Sequence, residues 1–254
     1  MSGLGPAPSA QTRQGKRLVD QSCVVTGASS GIGRAIALAL AAAGARVCAV
    51  ARRRDALEAT ADQVRDSGSI TPYPTDLSSD ESIAALVKTL GRHPGGLDVL
   101  VHSAGTISIG ALETSPVAEL DRQHSTNVRA PYLLTQALLP LLRANRGQIV
   151  FINSTAVQSA RAEMSQYTST KQALRAIADS LREEVNAEGI RVTRIYPGRT
   201  GTPMQSTVHV QEGRPYVPDR LLQPEDIAEL VVGVLTLPRT AEVTDVSLRP
   251  MRKP

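Results

Sequence analysis

Aromatic residues are scarce in this 254-residue chain: they make up 2%, with no Trp, one Phe and five Tyr. A core without large rings has to be assembled from Ala, Val, Leu and Ile, which suits a parallel sheet covered by helices. The same scarcity speaks against a single-strand nucleic-acid binder, which needs rings on which bases stack. Net charge is +4, but the 28 Lys and Arg are scattered among 24 Asp and Glu. A nucleic-acid surface would gather its bases on one face, and the main cluster, Arg52-Arg53-Arg54, has another use described below.

Cysteine is also nearly absent. Cys23 and Cys48 each sit in an apolar run, no CxxC occurs, and His93, His102, His124 and His209 do not fall at metal-ligand intervals. Both cysteines read as small buried hydrophobes, and no metal is expected. Long hydrophobic runs are missing too. The most apolar stretch, Ile36 to Ala51, is broken by Gly44 and Arg46 and is too short to span a bilayer. Met1 to Lys16 holds no apolar segment of the signal-peptide kind, and Ser2 removes the myristoylation pattern. The sequence predicts a disordered arm over 1–17 and one domain over 18–254, in a soluble cytoplasmic protein without a membrane partner.

From Leu18 onward, short β-branched runs alternate with helical patterns, the signature of βαβ units. Strands are expected at Ser22–Thr26, Arg46–Ala51, Ile70–Pro74, Val99–Ser103, Gln148–Ile152, Arg191–Tyr196 and Val243–Leu248. The prolines of the third suggest a sheet edge. Helices are expected over Ala35–Ala43, ended by a left-handed Gly44, and from a cap at Asp55 to about Ser67. Others follow the Ser78-Ser79-Asp80-Glu81 stretch, span Asn127–Ala144 and Tyr167–Asn186, and begin after Pro224. The fold class is therefore α/β: a Rossmann-type, doubly wound parallel sheet of about seven strands with helices on both faces.

The first strand runs into Thr26-Gly27-Ala28-Ser29-Ser30-Gly31-Ile32-Gly33. Glycines between a strand and a helix let backbone approach a pyrophosphate and aim helix N–H groups at it. At the end of the second strand, an acid would bind a ribose 2′-OH, whereas Arg accommodates a 2′-phosphate. Here Ala51 is followed by Arg52, which points to NADP(H). Asp76, after the third strand with Leu77 beside it, is a candidate for the adenine, with a helix cap as the alternative use.

Tyr167 and Lys171 are four residues apart on a predicted helix, so they share a face. An unperturbed Tyr has a pKa of ~10, and a neighbouring ammonium lowers it toward useful acid/base chemistry. Ser154 lies thirteen residues upstream of Tyr167, just past the fifth strand.

Taken together, these motifs resemble the short-chain dehydrogenase/reductase family over nearly the whole stretch from Leu18 to Arg249. The resemblance implies a catalytic set of Asn127, Ser154, Tyr167 and Lys171, with Asn127 holding a relay water. It implies cofactor contacts from Gly27, Ser29, Ser30, Gly31, Ile32, Gly33, Arg52, Asp76, Leu77, Ser103, Ala104 and Gly105. Asn127, Tyr167, Lys171, Pro197, Gly198, Thr200 and Thr202 complete that set. Two departures stand out. The family's Asn-Asn-Ala-Gly is His102-Ser103-Ala104-Gly105 here, where His102 reads as structural, and the C-terminus lacks the Gly-Gly segment of many relatives. The latter resembles the subgroup that acts on small carbonyl compounds and hydroxy acids.

The expected function is hydride transfer between NADPH and a carbonyl or secondary-alcohol substrate, with ketone or aldehyde reduction favoured. The alternatives are an NAD-dependent alcohol dehydrogenase of the same fold and a non-catalytic NADP(H)-binding regulator, since fold alone does not fix function. Met204 to Leu222 is expected to form a substrate lid bearing His209, Arg214 and Tyr216, with Ser159 and Met164 facing the pocket. The helix through Ala173, Ile177, Leu181 and Val185 suggests an isologous interface, and the resemblance implies a homotetramer or homodimer.

Overall fold

The computed structural model describes residues 18–65, 68–92, 95–159 and 161–252; the expected N-terminal arm lies outside them. Seven strands form one sheet: β1 (Ser22–Thr26), β2 (Arg46–Ala51), β3 (Ser69–Pro74), β4 (Val99–His102), β5 (Gln148–Ile152), β6 (Arg191–Pro197) and β7 (Asp245–Leu248). Every pairing is parallel, in the order β3-β2-β1-β4-β5-β6-β7. The order reverses between β1 and β4, which is where an open α/β sheet presents its ligand crevice. Pro72 and Pro74 lie on β3 opposite Ala49 and Ala51, on the edge strand where missing N–H donors cost no ladder bonds.

Successive strand residues point to opposite faces, and two apolar layers result. Cys23 and Val25 join one layer with α1 (Gly31–Ala42) and α8 (Pro224–Leu235). Val24 joins the other with α3 (Asp80–Leu90), α5 (Ala130–Asn145) and α6 (Ser165–Val185). Both layers are aliphatic apart from the single Phe151, which is fully buried. Gly44 takes φ +99° just past α1, and Ser79 caps α3 by accepting from the Ser82 N–H at 3.2 Å. Both outcomes match the expected helix signals.

Several elements differ from expectation, each for a local reason. Helix α2 spans only Arg54–Ala61, with Arg53 at its N-cap and Asp55 inside the first turn rather than capping it. The chain leaves the helix through tighter three-residue bonds, Gln63 N–H to the Thr60 carbonyl at 3.2 Å and Val64 N–H to the Ala61 carbonyl at 3.1 Å; Ser67 itself is outside the described residues. Helix α4 (Val117–His124) was not foreseen, because it is only about two turns long, polar on average and buries only Gln123. It passes through a π-helical turn, Ser125–Arg129, into α5, so Asn127 lies in a widened turn rather than at a helix start. The expected lid contains α7 (Pro203–Gln211), capped by Thr202, whose hydroxyl accepts from the Gln205 N–H at 3.2 Å. On α6, Leu181 and Val185 are buried in the chain's own core, so half of the face expected to form an interface is already used internally.

His102, the departure from the family pattern, ends β4 with 2% exposure. Its ring stacks on Phe151 with centroids 4.9 Å apart, and its Nε2 lies 2.7 Å from Thr135 Oγ1 on α5. It therefore wedges sheet against helix. Burial lowers its pKa from 6.5 to about 3. A folded pKa below the unfolded value means neutral His102 stabilises the fold above pH 6.5, and that contribution is lost as pH falls through 3. The full loss is on the order of 5 kcal/mol. His102→Asn should flatten the fall in Tm between pH 7 and pH 4, measured by calorimetry. An unchanged acid slope would contradict this account of His102.

Candidate active site

The glycine turn sets how closely the strands' carboxyl ends can approach. Gly27 adopts φ +71°, and a Cβ there would lie 2.9 Å from the Ala104 backbone. The preceding Thr26 is buried, and its hydroxyl oxygen accepts from the Ser103 and Ala104 N–H groups at 3.0 and 3.1 Å. The end of β1 is thus clamped against the segment leaving β4. Gly31 has φ +53° and sits under Thr202, whose Cγ2 would be 3.0 Å from a Cβ at that position. At Gly33 a Cβ would meet the Gly27 carbonyl, so no side chain fits. Ser30 is the N-cap of α1 yet makes no side-chain cap, and the first turn carries no acid. The helix end and its partial positive charge are left free to receive an anion.

Arg52 stands exposed where β2 ends. Asp76 is close enough for Arg52 to help hold its carboxyl below the usual range, although hydrogen bonds from Ser78 contribute more. The Asp76 Oδ1 accepts from the Ser78 N–H and hydroxyl at 2.9 and 2.7 Å. Asp76 thus shapes the turn before α3 while Ser79 serves as the cap. Leu77 buries its side chain in the core layer beneath.

A second group of residues converges at the ends of β4, β5 and β6. Asn127 is fully buried in the π-helical turn. Its Nδ2 donates to the Thr106 carbonyl at 2.9 Å and to Thr170 Oγ1 at 3.0 Å, while its Oδ1 accepts from the Thr106 N–H at 2.8 Å. Both amide protons are occupied, which leaves one Oδ1 lone pair for any water. Asn153 links the next two pieces: its Nδ2 donates to the Lys171 carbonyl at 3.1 Å, and its Oδ1 accepts from the Ser154 N–H at 2.9 Å. Lys171 is 5% exposed, and its Nζ donates to the Ile152 carbonyl at 3.0 Å. Asn153, Thr106 and Thr170 are positioning groups that stand outside the catalytic set expected from the sequence. Only adjacency to Ser154, Gly105 and Lys171 marked them.

Tyr167 and Ser154 form a hydroxyl pair. Burial pushes the Tyr167 phenol up, and its hydrogen bond with Ser154 works in the opposite direction. Lys171 Nζ is 5.8 Å from the centre of the Tyr167 ring, and burial lowers its own pKa from 10.5 to about 8. The Lys171 ammonium donates to the Ile152 carbonyl, and the hydrogen bond with Ser154 only partly offsets the burial that raises the Tyr167 pKa.

Ser154 and Tyr167 line a cavity of about 200 Å³, together with Ile32 of the glycine-turn helix and Pro197, Gly198, Thr200 and Thr202. Gly198 joins the sheet by donating its N–H to the Leu248 carbonyl at 2.8 Å. Met164 lines the cavity as expected, and Ser159 does not. His209 is buried against Tyr216, with ring centroids 5.4 Å apart, while Arg214 is exposed. Among the described residues, no cluster of three or more His, Cys, Asp or Glu could hold a metal, and no helix is long and apolar enough to cross a membrane.

Comparison with known proteins agrees with this geometry. Residues 21–213 match the family model described as short chain dehydrogenase. An uncharacterized oxidoreductase of Staphylococcus aureus (strain MRSA252) is 32% identical over 235 residues, spanning 92% of this chain and 99% of that protein. A metagenomic short-chain oxidoreductase, solved in complex with NADP, superposes with a TM-score of 0.80 at 33% identity, covering 93% and 100% of the two chains. A 7α-hydroxysteroid dehydrogenase, solved with NADH and 7-oxoglycochenodeoxycholic acid, gives 0.82 at 26% identity, covering 91% and 94%. The chain belongs to the short-chain dehydrogenase/reductase family, the NAD(P)-dependent oxidoreductases.

Proposed function

We propose that the protein reduces a ketone or aldehyde to the alcohol using NADPH. The observation that carries the proposal is that Ser154 and Tyr167 line one cavity, which also reaches Ile32 and Thr202 at the glycine turn.

The residues present fit the dinucleotide. Gly27, Gly31 and Gly33 leave room where any Cβ would clash, and the uncapped N-terminus of α1 offers N–H groups at Ser29 to Gly33 for a pyrophosphate. Arg52 is unburdened by an acid at Ala51 and can grip a 2′-phosphate with two parallel N–H bonds. Asp76 Oδ2 and the Leu77 backbone would face the adenine. Backbone at Ser103, Ala104 and Gly105 would wall the crevice, and Pro197, Gly198, Thr200 and Thr202, which line the cavity, would meet the nicotinamide end.

A bound nicotinamide supplies the hydride. Ser154 and Tyr167 donate hydrogen bonds to the substrate's carbonyl oxygen, and donors fixed in advance stabilise the negative charge that develops there. Because burial keeps Tyr167 a neutral phenol at working pH, it is the acid that delivers the proton to that oxygen. Lys171, anchored at the Ile152 carbonyl, would hold the nicotinamide ribose hydroxyls and support the charge left on Tyr167. Asn127 fixes the Gly105–Thr106 segment through Thr106, and its remaining lone pair takes the relay water. A chain that only sensed NADP(H) would need neither hydroxyl of the pair.

Two outcomes follow. Tyr167→Phe should lower ketone reduction by ~1,000-fold, within the range for lost acid catalysis, while calorimetry shows an unchanged affinity for NADPH. Near-normal turnover in that variant would remove the proposal. Arg52→Glu should shift the ratio of kcat/KM for NADPH over NADH by ~100-fold toward NADH, equivalent to about 2.7 kcal/mol. A ratio that does not move would mean that the 2′-phosphate is read elsewhere.

A further inference from the structure

The segment that carries α7 leaves and rejoins the body of the protein at one place. Gly201 donates its N–H to the Leu222 carbonyl at 2.7 Å, and Leu222 donates to the Arg199 carbonyl at 3.0 Å. Leu222 is buried in the core layer of α1 and α8, so the base of the segment is fixed. Its middle is held quite differently. Among the described residues, none from α7 belongs to either apolar layer of the sheet. Val208 is buried, but it lines the cavity of Ser154 and Tyr167, with Met204 and Gln205. Among the described residues, the hydrogen bonds of 203–217 stay within 202–217, with one exception. Arg199 Nη2, at the fixed base, donates at 2.6 Å to Oε1 of Glu212, the residue that ends α7.

One ion pair is thus the directional tie between the cavity's α7 wall and the rest of the chain, and it is an imperfect one. The two side chains keep only 17% and 21% of their exposure. Arg199 Nη1 and Glu212 Oε2 are closed to solvent and have no hydrogen-bond partner. A dry, unpaired donor and acceptor offset part of what the short contact contributes, and both recover water when the pair parts. Arg214, exposed and two residues beyond Glu212, adds positive charge beside that carboxylate. It sits on the same segment and moves with Glu212, so the carboxylate keeps a counter-charge after leaving Arg199. The closed and open arrangements are therefore close in free energy, as a gate over a site requires. Resting on the carbonyl-reductase reading for what passes through, we infer that the Arg199–Glu212 pair latches 203–217 as a flap over Ser154 and Tyr167, and that this latch must part for substrate to enter and product to leave. Both are positioning residues, since neither touches the reacting atoms.

Two measurements on the full chain test this. The first is amide hydrogen exchange of the NADP⁺-loaded protein, which needs no turnover. Glu212→Gln keeps the side chain's shape and removes its charge. It should speed exchange of the α7 amides by ~10-fold, the scale of a hydrogen bond to a charged group, and leave the β5 amides unchanged. Unaltered α7 exchange overturns the inference. So does equal acceleration of α7 and β5, because a pair that only braced the whole fold would behave that way. The second measurement asks whether opening is needed. The double variant Arg199→Cys, Glu212→Cys is bridged by a short bis-maleimide or capped on both thiols with N-ethylmaleimide, and hexan-2-one reduction by NADPH is followed. Burial raises the Cys23 and Cys48 thiols and shields them from either reagent. The bridged form should turn over at least ~10-fold more slowly than the capped form, as a blocked gating step demands. Equal rates in the two forms overturn the latch. Faster α7 exchange in Glu212→Gln without turnover of any ketone by the wild type would sink the reductase reading and keep the flap; turnover with unaltered α7 exchange would do the reverse.

Discussion

The close approach of β1's end to β4's end is the constraint on which the rest of the site depends. Thr26 holds the Ser103 and Ala104 N–H groups through one hydroxyl, and Gly27 has no room for a Cβ against Ala104. This is the point where strand order reverses. The crevice therefore opens between two strands locked at their tips, with the N-terminus of α1 aimed at it. A larger residue at Gly27 would push the two tips apart and misplace every group downstream of β4, Gly105 included.

A second layer of polar contacts turns that crevice into a rigid site. Asn127, Asn153, Thr106 and Thr170 touch one another or the backbone beneath Ser154, Tyr167 and Lys171. Buried amides of this kind are costly when unpaired and stiffening when satisfied. Here the inward-facing hydrogen-bond groups are largely satisfied, and the effect is to fix the hydroxyl pair. Lys171 shows what this costs. Burial lowers its pKa to about 8, so near neutral pH the ammonium is kept in an environment that disfavours it. That tension is typical of functional groups rather than of plain core residues.

Much of this was legible in the sequence. The aliphatic composition, the β-branched runs and the glycine turn pointed to the parallel sheet, and every expected strand is present to within a few residues. The residues singled out for chemistry also gather as expected, with Tyr167 and Ser154 in one cavity and Asn127 and Lys171 linked to them through Thr170 and Asn153. What was hidden was hidden for physical reasons. Helix α4 is short and polar and buries a single glutamine. The π-helical turn carries Asn127, whose amide bonds the Thr106 backbone from 21 residues away, a contact no local pattern announces. The Arg199–Glu212 pair joins a strand exit to a helix end, and no spacing rule connects them. The four-residue spacing of Tyr167 and Lys171 gives a shared helix face, but not the Ile152 carbonyl to which the ammonium donates.

The central claim is that the β1–β4 crevice holds NADP(H) with its 2′-phosphate on Arg52. Calorimetric titration of the wild-type protein with NADPH and, separately, with NADH tests it most directly. The account predicts saturable NADPH binding at a Kd of ~1 μM or below, with NADH weaker by ~100-fold. A protein that bound NADH more tightly, or that saturated with neither nucleotide at millimolar concentration, would contradict it.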